Sequence, residues 1–162
     1  MITKFMMKTY VRTSLLTLLL IVAGSVAAVS GQTVTGSIAG GSVTRGGTSR
    51  ATVYLSMPAG LHVNSNRPNS EYAIPTTVRA SARGAKISAV NYPRGHNRKF
   101  DFSEDRINVY DGRVAFNFNV TVPPNYRGNT VRVNVAVKYQ ACTNEVCYQP
   151  KTKNITLTAR VR

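Results

Sequence analysis

The chain has 162 residues, is 43% hydrophobic with no tryptophan, and carries a formal net charge of +15 at neutral pH. That length suits one domain with a real core. The charge alone would fit nucleic acid, but the basic residues are dispersed from Arg45 to Arg162, with no extended Lys/Arg run and no interleaved aromatics. It is read as a solvated surface that attracts acidic partners or an anionic envelope surface, with no nucleic-acid partner.

The first segment sets the expected compartment. Lys4, Lys8 and Arg12 precede an apolar stretch opening at Leu15, which fades into small residues by Ala28. This is the three-part pattern of a secretory signal, with cleavage expected after Ala27, Ala28 or Ser30. The stretch is shorter than the ~20 apolar residues that span a bilayer; an uncleaved anchor is the alternative. No cysteine follows it, so lipoprotein attachment is not expected. Residues 1–30 are thus read as a signal peptide and 31–162 as the mature domain, exported to the periplasm, where disulfides persist.

The mature region alternates with period two. Ala51, Val53, Leu55 and Met57 form an early stripe, followed by Val114, Phe116, Phe118, Val120 and Val122. Then come Val131, Val133, Val135, Val137 and Tyr139, and finally Ile155, Leu157, Ala159 and Val161. One polar face and one apolar face indicate antiparallel strands packed on one side. Turn residues fall between them at Pro58-Ala-Gly60, Asp111-Gly112, Pro123-Pro124 and Arg127-Gly-Asn129. With no sustained helical period, about seven to nine short strands predict an all-β, immunoglobulin-like antiparallel sandwich; a small barrel is the alternative.

Residues Pro93 to Arg106 resist the pattern. They are polar, hold Asp101, Glu104 and Asp105, and carry Phe100 and Phe102. A loop of this length in a compact domain is more often functional than idle. Either both phenylalanines tuck into the core edge, or one of them covers the cysteine pair, Cys142 and Cys147.

Cys142 and Cys147 are the only cysteines and sit in Tyr139-Gln-Ala-Cys-Thr-Asn-Glu-Val-Cys-Tyr-Gln-Pro150. If Asn144-Glu145 forms a two-residue turn, Cys142 lies directly opposite Cys147. Opposed residues in an antiparallel pair have Cα atoms about 4.5–5.5 Å apart, within the disulfide range of about 4.4–6.8 Å. A bridge closing so short a loop contributes only ~2 kcal/mol of chain entropy. It is a poor staple, and spacing alone leaves a structural and a redox-active bridge both open.

Other chemistries find little support. His62 and His96 are the only histidines; no ligand spacing links them to Met57 or the cysteines, so no metal and no cofactor are expected. His62 reads as a structural or rim residue at a strand end. No motif supplies a base for a hydrolase nucleophile, and Gly40-Gly41 and Gly46-Gly47 read as turns.

The segment from Tyr139 to Pro150, followed by Lys151-Thr-Lys153 and a last strand, resembles the N-terminal periplasmic domain family of the disulfide reductase DsbD. The resemblance extends through Gly60-Leu-His-Val-Asn-Ser-Asn66, Ile74-Pro75, Tyr92-Pro93, Val109-Tyr110-Asp-Gly112 and Val122-Pro123. It implies an immunoglobulin-like fold and thiol–disulfide exchange of the protein-disulfide reductase type through Cys142 and Cys147. It also implies a membrane-embedded electron donor, here reached in trans, and oxidised periplasmic acceptors such as thioredoxin-like or cytochrome-maturation proteins. By position Phe100 resembles the aromatic of the family's cap loop, with Phe102 as the other candidate. Tyr139 and Tyr148, flanking the pair, are read as packing. Two departures stand out: the cysteines here are separated by four residues where the best-known members have five, and the domain is expected to stand alone. Lys138 and Lys151 would favour a thiolate and Glu145 would oppose it. The competing reading is an immunoglobulin-like binding or adhesion module with a structural disulfide.

Overall fold

The computed structural model describes residues 31–162; the expected signal peptide at 1–30 lies outside them. Twelve strands follow in chain order: β1 (Thr33–Ile38), β2 (Ser42–Val43), β3 (Thr48–Ser56), β4 (His62–Asn64), β5 (Thr77–Ala82) and β6 (Lys86–Ile87). The second half adds β7 (His96–Arg98), β8 (Ile107–Asp111), β9 (Arg113–Thr121), β10 (Thr130–Tyr139), β11 (Ala141–Cys142) and β12 (Lys151–Val161). They form three four-stranded sheets, ordered β1-β3-β9-β6, β2-β12-β10-β5 and β11-β4-β8-β7.

The first two sheets make the immunoglobulin-like sandwich, and the apolar stripes explain why. Ala51, Val53 and Leu55 of β3 and Phe116, Phe118 and Val120 of β9 are buried on one sheet. They share a single core with Val131, Val133, Val135 and Val137 of β10 and Leu157, Ala159 and Val161 of β12 on the other. Polar residues at the alternate positions face outward, as the pleat requires.

The third sheet is a smaller layer that positions the cysteines. The β10–β12 ladder ends at the pair Tyr139↔Lys151. The residues between leave it as an excursion, and β11 pairs with β4 rather than with β12. Tyr110 of β8 ties this layer to the sandwich. Its ring meets Phe116 edge-on with centroids 6.0 Å apart, and its hydroxyl bonds Asn66 Oδ1 at 2.6 Å. Gly112, at φ 61°, supplies the left-handed position that turns β8 into β9.

The strand count exceeds the seven to nine expected from sequence because β2, β4, β6, β7 and β11 are only two or three residues long. The stretch from Pro93 to Arg106 is also not all loop. His96–Arg98 forms an edge strand on β8, with Arg98 opposite Ile107. An exposed edge strand of three polar residues carries no apolar alternation to reveal it.

Candidate functional site: a disulfide hairpin under an aromatic roof

The hairpin geometry follows from its backbone bonds. Thr143 N–H donates to the Val146 carbonyl and Tyr148 N–H to the Ala141 carbonyl, both at 2.8 Å. Cys142 and Cys147, lying between, are therefore a non-hydrogen-bonded cross-strand pair, the closer of the two antiparallel kinds. Their Cα atoms are 4.0 Å apart and a disulfide joins them. Asn144 and Glu145 do form the turn, without positive φ at either residue. Instead Thr143 Oγ1 accepts the N–H groups of Glu145 (3.2 Å) and Val146 (3.1 Å). A side-chain oxygen thus closes the turn where a carbonyl ordinarily would.

Cross-strand register then extends the pair into a row. Cys147 opposes Cys142, Cys142 opposes His62 of β4, and His62 opposes Asp111 of β8. Directly opposed residues point to the same face with Cβ atoms about 4.5–5.5 Å apart. Exposure changes steeply along the row. Cys147 is exposed, Cys142 and His62 are buried, and Asp111 returns to solvent. The two sulfurs are therefore inequivalent.

The loop after β7 roofs this row. Phe100, buried, stacks on His62 with ring centroids 4.3 Å apart, and Phe102 stacks on Phe100 at 5.1 Å. Phe100 thus takes the core-edge place and Phe102 the outer one. Phe102 shares with Cys147 a cleft of about 280 Å³, lined also by Asn64, Tyr72, Ile107 and Gln140. Arg98 fastens the arrangement. Its guanidinium lies 5.3 Å from the Phe100 ring centre, donates to Asn144 Oδ1 at 3.0 Å, and sits 3.7 Å from Asp111 Oδ2. It therefore links roof, hairpin tip and row.

Part of the electrostatics around the row comes from the Arg98–Asp111 contact, which the sequence did not single out. His96 Nε2 is 3.2 Å from Asp111 Oδ2, beside the Arg98 contact. Burial pushes the His62 imidazole down to about 4; Arg98 lowers it further, Asp111 pulls the other way, and His96 adds to the depression. His62, expected at a strand end as a structural or rim residue, is buried rather than at the rim, and neither ring nitrogen is hydrogen-bonded among the described residues. Lys138 and Lys151 lie exposed on the β10–β12 ladder, and Glu145 at the exposed hairpin tip.

The flanking tyrosines part company. Tyr139 packs in the sandwich core, where burial raises its hydroxyl pKa. Tyr148, read from sequence as packing, is 49% exposed; among the described residues no strand pairs beyond the returning arm of the hairpin. The large hydrophobics exposed among the described residues are Tyr72 (91%), Phe102 (44%), Val146 (53%) and Tyr148 (49%). Tyr72 and Phe102 share the cleft of Cys147, and Val146 and Tyr148 flank it in sequence on the hairpin.

The family described as "Thiol:disulfide interchange protein DsbD, N-terminal" matches residues 35–159, from β1 almost to the end of β12. The chain belongs to that family. Among solved structures it is similar to the DsbD N-terminal domain of Neisseria meningitidis in the reduced form, at 16% identity and a TM-score of 0.44 over 68% of this chain and 80% of that one. It is also similar to the N-terminal periplasmic domain of ScsB from Proteus mirabilis, at 14% identity and a TM-score of 0.49 over 79% of this chain and 44% of that one. No curated protein matches the sequence.

The buried imidazole has a consequence for this DsbD N-terminal-type domain in acid. Between pH 6.5 and about 4 the unfolded chain takes up a proton at His62 that the native state refuses. The native state is therefore destabilised as pH falls through that window, by on the order of 3 kcal/mol in total. Denaturant midpoints measured across it are expected to drop less steeply in His62→Phe than in the parent. Parallel curves would contradict the assignment.

Proposed function

We propose that this chain is an exported thiol–disulfide exchange domain that passes reducing equivalents through Cys142 and Cys147. The observation that carries the reading is the inequivalence of the sulfurs. Exchange requires a thiolate to reach a disulfide sulfur, forming a mixed disulfide that a second thiol resolves. Exposed Cys147 is the sulfur a partner reaches, and buried Cys142 is the one released and later resolving. Family membership supports the chemistry, and the disulfide between directly opposed cysteines supplies the reacting bond.

Exposed Tyr72 and Phe102, which share the cleft of Cys147, with exposed Val146 and Tyr148 next to it along the hairpin, support a docking surface at this end of the domain. Exposed apolar groups gathered in one place mark interaction sites. The family reading extends this to a membrane-embedded dithiol as donor in trans and oxidised thioredoxin-like or cytochrome-maturation proteins as acceptors, all in the periplasm. Residues 1–30 would then be the export signal and 31–162 the working domain. Phe102, seated on Phe100, would be the part of the roof that a partner displaces, with Phe100 as its anchor.

Single substitutions test the assignment. Cys142→Ser leaves an accessible thiol with no resolving partner, and is expected to accumulate mixed disulfides with periplasmic proteins on non-reducing gels. Cys147→Ser leaves only the buried thiol and is expected to trap far less. Trapping by neither would return the bridge to a purely structural role in a binding or adhesion module.

The roof is tested by the rate at which dithiothreitol opens the bridge. Phe102→Ala is expected to raise it several-fold. Phe100→Ala is expected to raise it at least as much, at a stability cost of about 3 kcal/mol for emptying a buried aromatic site. Rates equal to the parent's in both would show that the roof does not shield the sulfurs.

A further inference from the structure

Of the two residues of the row that exchange between two sulfurs does not itself require, His62 and Asp111, His62 is the buried one. It is nevertheless held with care. It lies between Cys142 and Asp111 in direct cross-strand register, is 1% exposed, and is covered by the Phe100 ring at 4.3 Å. Among the described residues, both ring nitrogens lack a hydrogen-bond partner. A buried polar group left unsatisfied costs about 1–3 kcal/mol, and such groups in native proteins often mark a redox or catalytic role. The bridged state shows why the partner is missing. A disulfide sulfur has no proton to give and is only a weak acceptor. When the bridge opens, the neighbouring Cys142 becomes first a thiolate, a strong acceptor, and then a thiol, a donor.

Resting on the exchange reading above, we propose that His62 is the proton-handling partner of Cys142, hydrogen-bonding its sulfur whenever the Cys142–Cys147 bond is open. In the reductive direction a donor thiolate bonds to Cys147 Sγ and the Cys142–Cys147 bond breaks. The electron pair departs with Cys142 Sγ, which the His62 N–H meets beneath the Phe100 ring, where both residues are buried. A second donor thiolate then displaces Cys147, leaving the donor as a disulfide. The two protons its thiols released end on Cys142 and Cys147. In the other direction, Cys147 thiolate attacks one sulfur of an acceptor disulfide; that bond breaks as the mixed disulfide forms, and the acceptor's other sulfur leaves as a thiolate that takes up the proton Cys147 gave up. Cys142 then gives its proton toward the unprotonated His62 nitrogen as it attacks Cys147 Sγ, and the acceptor's thiolate leaves and is protonated. Donor and acceptor nitrogens are both needed, and a neutral imidazole has one of each. The groups facing the ring keep it neutral at physiological pH: burial dominates, Arg98 and His96 of β7 add to it, and Asp111 of β8 opposes them.

The test uses the full chain and dithiothreitol, so that no protein partner is involved. His62→Phe keeps the stack on Phe100 and removes both nitrogens; His62→Asn restores a donor and an acceptor. Bridge opening is expected to slow about ten-fold or more in His62→Phe, the range for losing a hydrogen bond to a charged group, both below and above neutral pH. His62→Asn is expected to recover part of the rate. In the parent, the imidazole 15N resonances of His62 are expected to move on reduction as the ring gains a partner, a readout that stands even where His62→Phe does not fold. Equal opening rates in parent and His62→Phe, or nitrogen resonances indifferent to the redox state, would overturn the role of His62 and leave exchange intact. A parent bridge that dithiothreitol does not open would remove both.

Discussion

The two-residue pairing of β11 with β4 is the constraint on which this end of the molecule depends. It takes the chain leaving the β10–β12 ladder and lays Cys142 beside His62, one strand from Asp111. Because opposed residues share a face, the same pairing aims Cys142 beneath the roof loop and leaves Cys147 on the outer arm. A shift of one residue would turn the sulfurs to the other face of the sheet. The inequivalence of the cysteines, the placement of the imidazole and the position of the cleft all follow from this register.

That register is held without the disulfide. Asn64 Nδ2 donates to Gln140 Oε1 at 3.3 Å and to the Ile74 carbonyl at 3.1 Å, and Gln140 Nε2 donates to the Tyr148 carbonyl at 3.1 Å. Thr143 Oγ1 closes the turn from within, and Arg98 grips Asn144 from the roof side. These bonds span both arms of the hairpin and its neighbours. A bridge of small entropic value is therefore superimposed on a hairpin already fixed by other means. Opening and closing it changes the chemistry of two sulfurs rather than the fold, which suits a pair that must cycle.

The sandwich was legible where strands are long and one face is apolar. Val53 and Leu55, Phe116 and Phe118, and the valines of β10 announce themselves by period two, and the core is built from them. The third sheet was not legible by the same signal. β4 has three residues, all buried, so His62-Val63-Asn64 shows no inside and outside to alternate. β7 is a polar edge. The opposition of Cys142 and Cys147 could be derived from hairpin geometry, yet nothing in their flanking residues told which one water reaches. Phe100 and Phe102 stand two apart in a loop without periodicity, and only the stack on His62 separates anchor from lid. Arg98 and Asp111 were invisible as a unit because they come from different strands. The segments that resemble the DsbD family are telling in this respect. Gly60 to Asn66, Ile74-Pro75 and Val109 to Gly112 all contribute to the third sheet or its supports, and so describe the site more than the sandwich.

The central claim is that this bridge is poised to exchange, and its equilibrium reduction potential tests that most directly. Equilibration of the full chain against defined ratios of reduced and oxidised dithiol, with the free thiols counted, gives the value. The account predicts a potential well above about −300 mV, the region below which structural disulfides of exported proteins lie. A potential well below that limit would contradict it and make Cys142–Cys147 a permanent fastening.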